Sequence, residues 1–182
     1  MQLISQLRSK LQKVQFPYFG RQRFWILYWA YKLTGWHIRH YGWDFVLKYL
    51  PKLHNKERQC NLLDVGCSRN LFCHEIKARG YNLAGVEIKD ITYGYVNTIY
   101  NFVTCISVLE DIDNDQQKKA LENMCASLKI GGRLLLTTPT KEFAKGHNGF
   151  TWADIASIMP KTMRTIESTE RAGQLCMALH KI

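Results

Sequence analysis

The sequence predicts an α/β protein: a three-layer sandwich whose mostly parallel sheet ends in an antiparallel hairpin and is preceded by a helical extension. Three observations predict it. From Asn61 onward short apolar runs alternate with helical stretches, the pattern of strands buried on both faces between crossover helices. The apolar fraction of 46% against 22% charged residues suits a chain that buries a core, not a disordered one. The 182 residues fit one ordinary domain with an attached segment and leave too little chain for two full domains.

Residues 1–55 read as the helical extension and residues 56–182 as the α/β domain. Leu3, Leu7, Leu11 and Val14 lie at spacings of four, four and three, one apolar stripe on a first helix. Pro17 and Gly20 break it. A second helix is expected over residues 21–33, stopped by Gly35, and a third over residues 43–50, stopped by Pro51. Residues 1–50 carry eight basic residues and one acid, Asp44, so +7 of the net charge of +10 sits there. Thirteen of the 22 aromatics lie there too. Arg21, Arg23, Lys32 and Arg39, interleaved with Phe24, Trp25, Tyr28, Trp29 and Trp36, fit three roles: helices packed on the sheet, a peripheral membrane-surface contact, or, less well, nucleic acid.

The longest apolar run, residues 24–31, has eight residues, against the roughly 20 that a spanning helix needs. The first residues show no charged stub, apolar block and small-residue cleavage site in succession, so a cytoplasmic chain, at most peripheral to a membrane, is expected. Cys60, Cys67, Cys73, Cys105, Cys125 and Cys176 are scattered, without C-x-x-C or H-x-x-x-H spacing. Reduced, mostly buried thiols and no metal site are expected.

Within the domain, Leu62-Leu63-Asp64-Val65 is a first strand and residues 71–79 a helix capped by Gly80. A second strand is expected over residues 82–87 and a third apolar run over residues 102–109. Residues 116–128 place Ala120, Met124 and Leu128 on one helical face, and Gly131-Gly132 reads as the turn into a strand over residues 133–138. A short helix is expected at Trp152–Ile158. Residues 163–168 and Gln174–Lys181 then flank Arg171-Ala172-Gly173 as a terminal hairpin.

The first strand runs into Asp64-Val65-Gly66-Cys67-Ser68-Arg69-Asn70. A glycine turn between strand and helix is how an open α/β sheet binds a nucleotide-like ligand outside the carboxyl ends of its strands. A dinucleotide site needs G-x-G-x-x-G, and from Gly66 the later glycine positions hold Ser68 and Leu71. The turn instead suits a ligand with an adenosine and no pyrophosphate. Glu87 follows Gly66 by twenty-one residues, at the tip of the neighbouring strand, where a carboxylate can accept both hydroxyls of a ribose.

These segments, with Thr104-Cys105-Ile106-Ser107-Val108-Leu109-Glu110-Asp111 and Leu128-Lys129-Ile130-Gly131-Gly132-Arg133-Leu134-Leu135-Leu136, resemble the successive motifs of class I S-adenosylmethionine-dependent methyltransferases. The resemblance implies a Rossmann-like sheet and S-adenosylmethionine as cofactor. It implies that Asp64, Gly66, Cys67 and Ser68 surround the methionine end, that Glu87 holds the ribose, and that Ser107, Val108 and Leu109 form the pocket floor. Two departures stand out. The glutamate-histidine pair usual after the family's fourth strand is Glu110-Asp111 here. Only fourteen residues, 88–101, lie where the family fits a helix, a strand and an adenine-binding loop. Either that third strand is lost and adenine is left to apolar contacts with Ile88 and Val108, or cofactor binding is weakened.

Methyl transfer from a sulfonium needs alignment and exclusion of water, and a general base when the acceptor is a hydroxyl. Asp111 and His147, the latter in Lys145-Gly146-His147-Asn148-Gly149, are the candidate catalytic residues. No proline precedes a cysteine, and no Asn/Asp-Pro-Pro-aromatic motif occurs, so cytosine-C5 and amino-directed nucleic-acid or glutamine methylation are argued against. The family analogy favours a small-molecule, sugar or lipid-linked acceptor. A catalytically degenerate binding or scaffold protein and a basic RNA-directed methyltransferase are the alternatives.

Overall fold

The computed structural model describes residues 22, 24–26, 28–29, 33, 39–53, 60–67, 72–94, 98–144 and 148–182. The first expected helix lies outside them. The described residues within 22–33 are helical, and then come α1 (Arg39–Tyr49), β1 (Asn61–Val65), α2 (Phe72–Ala78), β2 (Asn82–Val86), α3 (Ile88–Tyr93), β3 (Tyr100–Ile106), α4 (Asn114–Ala126), β4 (Leu128–Pro139), α5 (Trp152–Ile158), β5 (Met163–Arg171) and β6 (Gln174–Lys181). The strands form one sheet in the order β2-β1-β3-β4-β6-β5. β2, β1, β3 and β4 are parallel, and β6 runs antiparallel to both β4 and β5. The α/β class and the terminal hairpin are as expected.

Alternation along the strands divides the core into two layers. Leu63, Val65, Val103, Leu134, Leu136, Leu175 and Met177 face α3, α4 and α5 through Ile91, Leu121, Met124 and Ile155. Leu62, Ile106, Leu135, Cys176 and Ala178 face the other way, where Phe24, Tyr28, Trp43, Phe45, Val46, Leu50, Phe72 and Ile76 cover them. One of the two helical layers is therefore built jointly by α2 and the N-terminal segment. β5 closes the sheet as an edge strand, and its exposed Arg164, Glu170 and Arg171 oppose further strand pairing.

A buried carboxylate ties that layer together. Glu75, in α2, is fully buried; its Oε1 accepts from Arg79 Nε at 2.9 Å and its Oε2 from the indole N–H of Trp25 at 2.9 Å. The Arg79 guanidinium donates further to the carbonyls of Leu47 and Leu50 at the end of α1. Tyr28 donates to Asp44, and Lys48 reaches Glu167 of β5 at 2.5 Å.

Several boundaries differ from the sequence expectation, each for a local reason. β2 stops at Val86 because Glu87 becomes the N-cap of α3, its carbonyl accepting from the Asp90 and Ile91 amides. Between β2 and the start of β3 at Tyr100 the described residues hold that helix and no strand, so β2 is the sheet edge among the described residues. The expected third helix begins four residues early, at Arg39. The third strand ends at Ile106 because Ser107 takes a positive φ of 51°; Leu109–Asp111 then form a 3-10 turn. α4 runs from Asn114 to Ala126, since Ser127 caps its end by donating to the Asn123 carbonyl at 2.8 Å. Gly131-Gly132 is no turn before a strand. β4 already begins at Leu128, and the glycines absorb a shift in its register with β3, Gly131 at φ 75° and Gly132 with no room for a Cβ. β5 extends to Arg171, leaving a two-residue hairpin loop of Ala172 and Gly173 at φ 49° and 74°.

No described helix is long and apolar enough to cross a membrane, and no described group of three or more His, Cys, Asp or Glu can hold a metal ion. Cys105, Cys125 and Cys176 are buried and the other three thiols half-buried.

Two substitutions test this account. Glu75→Gln leaves the half-buried Arg79 cation without its counter-charge and should destabilise the fold by about 3 kcal/mol in urea unfolding; a change near zero refutes the tie. Ala172→Gly relieves a left-handed alanine and should stabilise by about 1 kcal/mol, read as a raised melting temperature.

Candidate functional site

The carboxyl ends of β1, β2 and β3 meet at one edge of the sheet. Register places Asp64 of β1 beside Gly85 of β2 and Thr104 of β3. Asp64 is 1% exposed: its Oδ1 accepts from the Thr104 hydroxyl at 2.6 Å and its Oδ2 from the Cys73 thiol at 3.3 Å. A buried carboxylate without donors is costly, so these two contacts fix the strand end and the start of α2 to each other. Burial, then the Asp64 charge and its hydrogen bond, push the Cys73 thiol far up, which keeps it a donor.

Gly66 follows at φ 71°, its N–H donating to the Val86 carbonyl at 2.8 Å. A Cβ there would lie 2.5 Å from Val108 Cγ2. Glycine is required twice over, by its backbone and by the side chain packed on it. Cys67 plays the reciprocal part, since a Cβ on Gly85 would meet its Sγ at 2.0 Å. Burial, followed by the carboxylates of Asp64 and Glu87, pushes the Cys67 thiol up, so it is a neutral packing group and no thiolate nucleophile. Ser68 lies outside the described residues.

Glu87 is exposed at the tip of β2. It is the N-cap of α3 by its backbone, at φ −78° and ψ 160°, yet its side chain makes no cap hydrogen bond. The carboxylate thus faces solvent at the tip of β2, outside the cap. Ile88, the first residue of α3, is half-buried and packs with Val86 against the cluster that contains Val108. Across the edge, Ser107 donates its N–H to the Thr137 carbonyl at 2.9 Å, and its hydroxyl accepts from Gln174 Nε2 at 2.8 Å. Leu109 is fully buried and belongs to the core beneath the edge. Asp111 stands exposed at the end of the 3-10 turn, and His147 lies outside the described residues.

The structure thus brings Asp64, Gly66, Cys67, Glu87, Ile88, Ser107 and Val108 to one edge. Sequence reading missed their supports: Thr104 and Cys73 on Asp64, Gln174 on Ser107, and Thr138, whose hydroxyl donates to the buried Glu110 at 3.1 Å. The signal was there, since Thr104, Thr137 and Thr138 interrupt apolar runs and a buried hydroxyl needs a partner.

A tight glycine turn over an inward-held acid, with a second acid exposed on the adjacent strand, is an arrangement with which open α/β sheets hold nucleosides. Comparison with known proteins narrows the class. Residues 35–176 match the family described as a methyltransferase domain. The ubiquinone biosynthesis O-methyltransferase of Rickettsia typhi is 21% identical over 124 residues, 56% of this chain and 50% of that protein, so the chain spans about half its length. The N-methyltransferase NodS of Bradyrhizobium japonicum, solved with S-adenosyl-L-homocysteine, superposes with a TM-score of 0.58 at 15% identity over 79% of this chain and 85% of that one. A TehB-like S-adenosylmethionine-dependent methyltransferase of Corynebacterium glutamicum gives 0.62 at 13% identity, over 92% and 100%. The structural likenesses are likenesses of fold. The chain belongs to the methyltransferase-domain family, and its fold is that of S-adenosylmethionine-dependent methyltransferases.

The supports are testable. Thr104→Val leaves the buried Asp64 short of a donor and should cost about 1–3 kcal/mol in denaturant unfolding. Thr104→Ser should restore most of it, and equal losses in both variants would show that packing, not the hydroxyl, matters.

Proposed function

We propose that the chain transfers a methyl group from S-adenosylmethionine to a hydroxyl of a small-molecule, sugar or lipid-linked acceptor. The observation that carries the reading is the exposed Glu87 carboxylate on the strand beside the Gly66 turn. Its two oxygens suit the vicinal hydroxyls of a ribose. The residues present fit the donor: Glu87 for the ribose, the turn at Gly66 and Cys67, with Ser68, for the methionine end, and Ile88 and Val108 for the faces of the adenine. With residues 88–93 helical in place of a strand, adenine is held by apolar contact in this reading.

Bound there, the donor supplies an already activated methyl group. The protein's share is alignment and exclusion of water. Ser107 and Val108 border the reacting edge, and the Gln174 and Thr137 contacts hold Ser107 in its left-handed conformation. Asp111, exposed beyond β3, is the candidate to take the acceptor's proton, with His147 as the second candidate. The name of the Rickettsia relative, an O-methyltransferase, supports oxygen as the accepting atom. Helix α3 in place of the third strand favours a second reading, a binding module that keeps the fold without turnover.

Calorimetric titration with S-adenosylhomocysteine separates these. The transferase reading expects binding, a loss of about tenfold or more in Glu87→Ala, and methyl incorporation from the donor into a panel of phenols, sugars and lipid-linked sugars. Absence of heat from the folded protein refutes both donor assignments. Binding without incorporation into any acceptor decides for the module.

A further inference from the structure

The helix formed by the described residues within 22–33 is apolar on two sides. Phe24 and Tyr28 are buried, with the Phe24 ring 5.1 Å from Trp43 and 5.8 Å from Phe72, so this side is anchored in the core next to α2. Ile26, Trp29 and Leu33, spaced by three and four, share another side and are 54%, 53% and 84% exposed. Gln22, four residues before Ile26, lies on the same exposed line. A surface helix normally turns charge toward water, whereas one that is apolar all round lies against a second apolar phase.

Three occupants compete for this face. Stacking on nucleic-acid bases rewards aromatic faces, but Ile26 and Leu33 are aliphatic and offer none. A second copy would bring together two segments that each carry +7 over residues 1–50, which repel. An anionic bilayer meets both properties at once, attracting the basic segment and taking the aliphatic side chains below the headgroups with the tryptophan at their level. No described helix is long enough to cross, so the contact is one of lying on the surface.

We propose that Ile26, Trp29 and Leu33 form a peripheral docking face for an anionic lipid bilayer. Because Phe24 of the same helix packs on Phe72, the first residue of α2, docking sets the membrane on the side of the sheet that α2 covers. The inference stands apart from the methyl-transfer reading and is read without donor or acceptor.

The test is co-sedimentation of the full chain with vesicles of phosphatidylcholine alone and of phosphatidylcholine mixed with phosphatidylglycerol at two parts to one. Binding is expected on the mixed vesicles, weakening as salt rises. The variant Ile26→Gln/Leu33→Gln should bind about tenfold or more weaker at an unchanged melting temperature, since both side chains are already exposed in the fold. Leu33→Gln alone, at the most exposed position, serves if the double variant melts early. Failure to sediment with the mixed vesicles, or equal binding by the variants, overturns the proposal. So does a wild-type dimer that the variants convert to a monomer, or retention of single-stranded RNA in preference to the vesicles.

Discussion

The buried carboxylate of Glu75 is the constraint on which the arrangement depends. It sits in α2, which follows the Gly66 turn, and holds one partner just past the end of that helix and another fifty residues away in the N-terminal segment. An ion withdrawn from water must be fully partnered to be tolerated. Trp25 and Arg79 supply that partnership, and Arg79 extends it to the carbonyls that end α1. The N-terminal segment, which by composition looks like an appendage, therefore completes the coordination of a charge inside the α/β layer. Position of the turn and position of the segment become one variable.

The same economy governs the ligand edge, where shape and chemistry are coupled through small residues. Val108 occupies the space that a side chain on Gly66 would take, and Cys67 the space over Gly85. Each glycine is defined by the neighbour that fills its missing Cβ. The edge is assembled from three strands whose ends interlock, with Asp64 pinned inside and Glu87 left outward. One acid organises the backbone and the other remains available to a ligand, although both are carboxylates one strand apart.

Most of the parallel sheet was legible because strands buried on both faces leave apolar runs that need no partner to be recognised. The segment Leu62-Leu63-Asp64-Val65 and the helix Trp152–Ile158 stand where the pattern put them. What escaped was decided by contacts distant in sequence. The length of β4 depends on a bulge that only its pairing with β3 reveals, and the end of β3 on the backbone twist at Ser107. At the candidate site, the turn at Gly66 and the carboxylate of Glu87 after β2 could be placed from spacing alone, whereas the contacts of Thr104 and Gln174 require register across strands. The aromatic residues of the N-terminal third could not be apportioned from composition. Trp25, Tyr28 and Trp43 go inward and Trp29 outward, and only the docked helix separates them.

The order of strands carries a consequence for how such a chain reaches its folded state. β6 comes after every other element in the chain, yet it lies in the interior of the sheet, wedged between β4 and β5, with Gln174 to Leu179 all buried. A chain interrupted before residue 174 has β5 without a pairing partner and the inner flank of β4 open to water. The sheet cannot close progressively from one side as the chain lengthens. Its final ladder must wait for the last strand, so unfinished chains expose two unpaired edges during synthesis, the species most prone to associate with one another.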